Sequence, residues 1–215
     1  MKPRLLDLFC CAGGAGMGYS RAGFDVVGVD IDPQPNYPFG FYQRDAIDFL
    51  EVHGKRFDAV HASPPCQAFT NAQRIQKNDH PDFLTPIREM LLELGKPFVI
   101  ENVVGAPLRD PIMLCGPMFG LETYRHRLFE SNVTLTAPEH LAHDVKQTKM
   151  GRRPIAGQYM QIVGNFTGAA RAREVMGMPW ASRDELREAI PPAYAEFIGA
   201  QLLEHVRRPT MKGAA

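Results

Sequence analysis

The sequence has no long apolar run, little cysteine and no surplus of charge of either sign. Across 215 residues, 24 Lys and Arg balance 24 Asp and Glu, so the chain as a whole does not advertise binding to a polyanion. No apolar run is long enough to span a bilayer. The run Leu5-Leu6-Asp7-Leu8-Phe9, behind Met1-Lys2-Pro3-Arg4, is too short and too acidic for the core of a signal peptide. These absences predict a cytoplasmic protein with no membrane partner. The four cysteines, Cys10, Cys11, Cys66 and Cys115, form no Cys-x-x-Cys pair, which fits neither a disulfide framework nor a zinc-site pattern. His140 and His143 lack cysteine or carboxylate partners at metal-ligand spacing, and no metal site is expected. There is no internal repeat and no low-complexity tract.

What is present has the make-up of one globular domain, with 45% hydrophobic and 22% charged residues. Apolar runs alternate with helical patterns. Strands are predicted at Arg4 to Phe9, Val26 to Asp30, Phe41 to Gln43, Asp58 to Ala62, Pro97 to Glu101, Ile112 to Cys115 and Leu128-Phe129. Helices are predicted at about Gly16 to Ala22, Asp45 to Glu51, Ile87 to Leu94 closed by Gly95, Asp184 to Glu188, and Pro191 to Val206. Asn71 to Pro86, polar with two prolines, reads as a mobile loop, and Glu139 to Gly168 as irregular. Such alternation predicts an α/β fold with a doubly wound, mainly parallel sheet. Ligands of such sheets bind outside the carboxyl ends of the strands.

The informative residues cluster at those ends. Gly13, Gly14, Gly16 and Gly18 allow a sharp turn and a close backbone approach. Counted from Gly14 and Gly16, the third glycine of a dinucleotide fingerprint would fall on Tyr19, so a nicotinamide dehydrogenase is disfavoured. Asp30 ends a strand, where it could accept from ribose hydroxyls. Ser63-Pro64-Pro65-Cys66-Gln67-Ala68-Phe69-Thr70 presents a cysteine rigidly at a strand end; a buried structural thiol is the plainer alternative. Glu101-Asn102-Val103 puts a carboxylate where a strand meets the cleft, and Arg125-His126-Arg127 follows. From Ala142 to Arg183, seven basic residues stand against two acidic ones. Such a patch suits a phosphate backbone, although on charge alone a solvated surface is the better account.

Taken in order, Asp-Leu-Phe-x-x-x-Gly-Gly, Pro-Pro-Cys-Gln, Glu-Asn-Val and Arg-x-Arg resemble the DNA cytosine-5 methyltransferase family, from Leu5 to about Leu203. The resemblance implies a Rossmann-like class I S-adenosylmethionine-dependent methyltransferase with a small irregular basic appendage. It implies S-adenosylmethionine as cofactor, S-adenosylhomocysteine as product, and double-stranded DNA as partner. By similarity, Asp7, Phe9, Cys10, Cys11, Ala12, Gly13, Gly14 and Pro65 would line the cofactor site. Asp30 would bind the ribose, Ile31 would pack on the adenine, and Asp45 would accept from its amino group. Cys66 would attack C6 of a flipped cytosine. Glu101 would contact N3 and the exocyclic amine, Arg127 the O2 edge, and Arg125 would favour the thiolate by its charge. Gln67, Thr70, Lys146, Lys149, Arg152 and Arg153 would contact DNA, the last four at phosphates.

The chain departs from the family at Cys11, where glycine is usual, at Thr123, where motif VIII has glutamine, and at Arg187-Glu188, where Gly-Asn is usual. The division implied is a catalytic and cofactor-binding core (1–130), a short target-recognition segment (131–170), C-terminal motifs returning to the core (171–206) and a flexible tail (207–215). Roughly 40 residues cannot form a large recognition domain, which predicts short or relaxed sequence specificity. A monomeric enzyme of restriction-modification or phage DNA protection, in a bacterial cell or phage-infected host, fits this form. An RNA (tRNA) cytosine-5 methyltransferase and an inactive nucleic-acid-binding relative remain as alternatives.

Overall fold

The computed structural model describes residues 1–65 and 81–208. In chain order the elements are β1 (Arg4–Leu8), α1 (Gly14–Ala22), β2 (Asp25–Asp30), β3 (Gly40–Gln43), α2 (Ala46–His53), β4 (Ala59–Ala62), α3 (Leu84–Leu94), β5 (Phe98–Asn102), β6 (Ile112–Leu114), β7 (Arg127–Ser131), α4 (Ala169–Met176), α5 (Arg183–Glu188) and α6 (Pro192–Arg207). One seven-stranded sheet has the order β3-β2-β1-β4-β5-β7-β6. Strands β1 to β5 pair in parallel, and β7 runs antiparallel to both β5 and β6. This is the α/β fold with a mainly parallel sheet that the alternation of elements predicts.

The central strands are buried along their length, as both faces are covered. Leu6, Leu8, Val60, Phe98 and Ile100 pack under α2 and α3 with Phe49, Leu50, Ile87 and Leu91. Leu5, Val26, Ala59 and Val99 point the other way, under α1 and α6, with Tyr19, Tyr194, Ile198 and Leu202. Strand side chains alternate with a period of two. The polar residues Asp7, Asp30, His61 and Glu101 therefore share the α1/α6 face with Leu5, Val26, Ala59 and Val99.

Two of the glycines serve packing. A Cβ on Gly14 would lie 2.2 Å from the Ile190 carbonyl oxygen, and one on Gly18 would lie 2.3 Å from that of Pro192. Both glycines let α1 lie directly against the chain entering α6.

The predicted elements recur with end shifts of one to three residues, the largest at the start of α3, and one further helix is present. Helix α3 begins at Leu84, inside the stretch expected to be loop. The Asp82 carboxylate accepts from the Leu84 and Thr85 amides, and Pro86 falls in the first turn, where its missing N–H costs nothing. The expected loop otherwise lies largely outside the described residues. Helix α4 was not expected; Ala172, Val175 and Met176 bury one face of it with Met160, Ile162 and Phe166 of the irregular segment. That segment has no strand or helix from 132 to 168, beyond an isolated bridge between Gln147 and Tyr159. Among the described residues no helix is long and apolar enough to cross a membrane.

Candidate active site

The turn after β1 has an unusual backbone. Phe9, Cys11 and Gly13 all have positive φ, at 57°, 43° and 77°. A left-handed conformation is costly for residues with a Cβ, so the turn must be held from outside. The Asp30 carboxylate does so: Oδ2 accepts from the Cys11 amide at 2.9 Å, and Oδ1 from the Asp32 amide at 3.1 Å. The Cys10 amide continues the β1–β2 ladder to Val29, and Trp180 Nε1 donates to the Ala12 carbonyl at 2.8 Å. Burial pushes the Cys10 and Cys11 thiols well above their ordinary range.

Asp7 lies fully buried beneath this turn. Its Oδ2 accepts from Tyr37 Oη at 3.1 Å, and its Oδ1 has no hydrogen-bond partner. Burial, opposed by the Tyr37 bond and reinforced by Asp30, raises its pKa to about 8. Gly16 is required above it, since a Cβ there would come within 2.8 Å of the carboxylate. Beyond β2, Ile31 is 65% exposed, an apolar side chain standing open at the strand end. Asp45 caps α2, its Oδ1 accepting from the Ile47 and Asp48 amides.

The second half of the site lies at the ends of β4 and β5. The buried Asn102 amide donates to the Pro64 carbonyl at 3.1 Å, and its Oδ1 accepts from the Val103 amide. One side chain thus ties the end of β5 to the Pro64-Pro65 step. Glu101, 5% exposed, meets Arg127 Nε at 2.9 Å. Glu101 is registered opposite Phe129, so Arg127 is its diagonal neighbour on the same face. Glu101 Oε1 has no aligned donor, so the contact is ionic rather than a well-directed hydrogen bond. Burial raises the Glu101 pKa, with Arg127 and then Arg125 opposing the rise. His61, at the heart of the same face, bonds Tyr19 Oη at 3.0 Å and Ser63 Oγ at 3.1 Å. Burial lowers its pKa to about 3, so it is a neutral strut.

Arg125 has another arrangement. Its Nε, Nη1 and Nη2 donate to the carbonyls of Ala189, Ile162 and Arg187 at 2.7, 2.6 and 2.8 Å. The guanidinium clasps the irregular segment and the chain before α6 to the sheet. Of the predicted basic residues, Lys146, Lys149, Arg152 and Arg153 are exposed, and no ion pair joins them to an acidic group among the described residues. Arg171 pairs with both Glu122 and Glu174, and Arg183 with Asp184. Cys66, Gln67 and Thr70 lie outside the described residues; Pro65, the last before them, is exposed.

Sequence reasoning did not single out Tyr37, His61 or Trp180, whose partners are remote in the chain. It also separated groups that folding unites. The ligand atoms of Cys115, His126, His140 and His143 all lie within 4.8 Å of one another. The expectation of no metal site rested on spacing along the chain, and the fold removes that ground.

Solved structures of the same fold are methyltransferases. A DNA modification methyltransferase encoded within an E. coli prophage superposes with a TM-score of 0.68 at 16% identity, over 94% of this chain and 99% of that one. The Dnmt2 methyltransferase of S. pombe superposes with a TM-score of 0.65 at 13% identity, over 96% of this chain and all of that one. In sequence the chain is similar to Type II methyltransferases. It is 32% identical over 120 residues to M.AgeI of Thalassovita gelatinovora (47% of this chain, 28% of that one). It is 32% identical over 127 residues to M.AquIA of a Picosynechococcus strain (49% and 50%). The chain thus spans half or less of the length of these curated relatives. No family model matches it.

Proposed function

We propose that this protein transfers a methyl group from S-adenosylmethionine to C5 of cytosine in duplex DNA, with Cys66 as the nucleophile. The observation that carries the proposal is the buried Glu101–Arg127 pair at the end of β5, tied through Asn102 to the Pro64-Pro65 step that leads into Cys66. The similarity to Type II methyltransferases supports DNA as the substrate.

The residues around the first turn suit the cofactor. Asp30 can accept from ribose hydroxyls, the open Ile31 side chain offers an apolar face to an adenine, and the orphaned Asp7 Oδ1 marks a polar floor. Phe9, the Cys10-to-Gly14 turn, Asp45 and Pro65 complete this assignment. When bound, S-adenosylmethionine supplies an electrophilic methyl group.

The chain supplies the rest. Cytosine C5 is a poor nucleophile while the ring is aromatic. A bond from Cys66 sulfur to C6 breaks that aromaticity and places an electron pair at C5. Burial raises the Glu101 pKa, so its carboxylate can take up a proton as the base enters, donate it to N3 and offset the charge that develops. Arg127 holds the O2 edge. Once the electron pair at C5 has formed the C5–methyl bond, solvent water takes the C5 proton, its bonding electrons form the C5–C6 double bond as the Cys66 thiolate departs, and N3 returns its proton to Glu101. Arg125 is placed here as a positioning residue, because its guanidinium is turned onto backbone carbonyls.

The test is transfer of label from S-adenosylmethionine to unmethylated duplex DNA, beside Cys66→Ala, with the labelled atom located. Label at cytosine C5 that vanishes in the variant supports the proposal. Label on an exocyclic amine, or on tRNA alone, overturns it.

A further inference from the structure

We propose that Cys115, His126, His140 and His143 form a structural zinc site that fastens the irregular segment to the edge of the sheet. This inference does not depend on the reaction proposed above. The site begins with strand register. Leu114 is paired with Arg127 in the antiparallel β6–β7 ladder, and one further step places Cys115 opposite His126. Those two ligands are therefore set by the sheet itself. The other two come from the irregular segment.

The four side chains present one thiol and three imidazoles, the donor set that favours a borderline-soft, tetrahedral ion. Cys115 Sγ lies 3.4 Å from His143 Nε2, and His126 Nε2 lies 3.1 Å from His140 Nε2. A tetrahedral zinc ion with Zn–S of ~2.3 Å and Zn–N of ~2.0–2.1 Å requires edges of about 3.5 and 3.3 Å. Both contacts fall within a few tenths of an ångström of those edges. The imidazoles also crowd together in a way that water-solvated rings have no reason to do. The three ring centroids lie 4.9 to 5.3 Å apart.

An outer layer orients the ligands, as metal sites require. His143 stacks on Tyr124 at 3.8 Å. Tyr124 Oη in turn donates to the Val145 carbonyl at 2.7 Å and accepts from the Val145 amide at 2.9 Å. The Cys115 thiol donates to the Tyr124 carbonyl at 3.0 Å; coordination would release that proton to solvent and leave a thiolate on the ion. Four protein ligands close the coordination sphere, so the role is structural rather than catalytic. The segment carrying His140 and His143 has no regular secondary structure to order it, and an ion would supply that order beside Arg127.

The experiment is metal analysis of untagged full-length protein expressed with zinc available, followed by cobalt(II) substitution. About one zinc per chain is expected after dialysis. The cobalt form should show a thiolate-to-cobalt charge-transfer band that is lost in Cys115→Ser. His140→Ala, at an exposed position, should weaken zinc affinity by at least ~10–100-fold. No zinc above trace, or zinc and the cobalt band retained in both variants, overturns the site.

Discussion

Arg127 Nε approaches Glu101 Oε1 to 2.9 Å without aligning a donor on it, so the pair is charged yet leaves a buried acceptor without a hydrogen bond. Such an arrangement suits a carboxyl that must still engage a substrate. Glu101→Gln keeps the shape and removes the acid. It should lower turnover by ~10²–10⁴-fold while melting stays close to wild type. Arg127→Ala should destabilise the fold by roughly 3–5 kcal/mol at neutral pH, because a buried carboxylate loses its main counter-charge. The loss should shrink in acid, where Glu101 is neutral. Denaturation of both variants at two pH values checks this.

Asp7 gives a pH dependence of definite sign. Its pKa in the folded protein is about 8, against an ordinary 3.8, so the folded state holds the proton more tightly than the unfolded state. Its contribution to stability is fully present below about pH 3.8 and is lost as the pH rises toward 8. Asp7→Asn should flatten that slope and be relatively most favourable at the alkaline end. Urea midpoints across the interval for both proteins measure it, and parallel curves would sink the assignment.

Asn102 spends its whole amide on geometry, with one bond to Pro64 and one to Val103. Asn102→Ala should cost only ~1–3 kcal/mol of stability. Turnover should fall far more, by ~10²-fold, if the Pro64-Pro65 step sets the position of Cys66. Comparable losses in binding and turnover would argue against a positioning role.

Much of this was legible because local and global signals agree. The alternation of Leu5, Leu6 and Leu8, and the unbroken run Phe98-Val99-Ile100, read as buried strands and are buried strands. Asp30 and Glu101 were placed at strand ends; Asp30 ends β2 and Glu101 is the last residue but one of β5. The antiparallel placement of β7 and the clasp of Arg125 depend on partners many residues away. Periodicity carries no such information. The same reason hid the histidine cluster: His140 and His143 are visible as a pair, but their partners arrive only through the β6–β7 register.

Cys11 occupies a position where the resemblance leads one to expect glycine, and its φ of 43° explains that preference. The cysteine keeps the turn only because Asp30 holds its amide. Cys11→Gly should relieve strain of ~1–2 kcal/mol, offset in part by the greater freedom of glycine when unfolded. A small net rise in melting temperature and unchanged S-adenosylmethionine binding are expected. Loss of cofactor binding in this variant would give the thiol a role of its own.

The exposed quartet Lys146, Lys149, Arg152 and Arg153 lies on a segment of roughly 40 residues, too short for a recognition domain of its own. Phosphate contacts position a protein without reading sequence. Replacing one of the four by alanine should therefore weaken DNA binding uniformly across sequences and reduce the salt dependence by ~0.9 in the log–log slope. With so little surface available for reading bases, the methylated sites should share a context of about two bases rather than a long consensus. Methylating a plasmid with wild-type protein and sequencing after base conversion reveals the context directly. A strict consensus of about six bases would mean that base-reading groups lie elsewhere in the chain, and that the quartet is not the main DNA-facing surface.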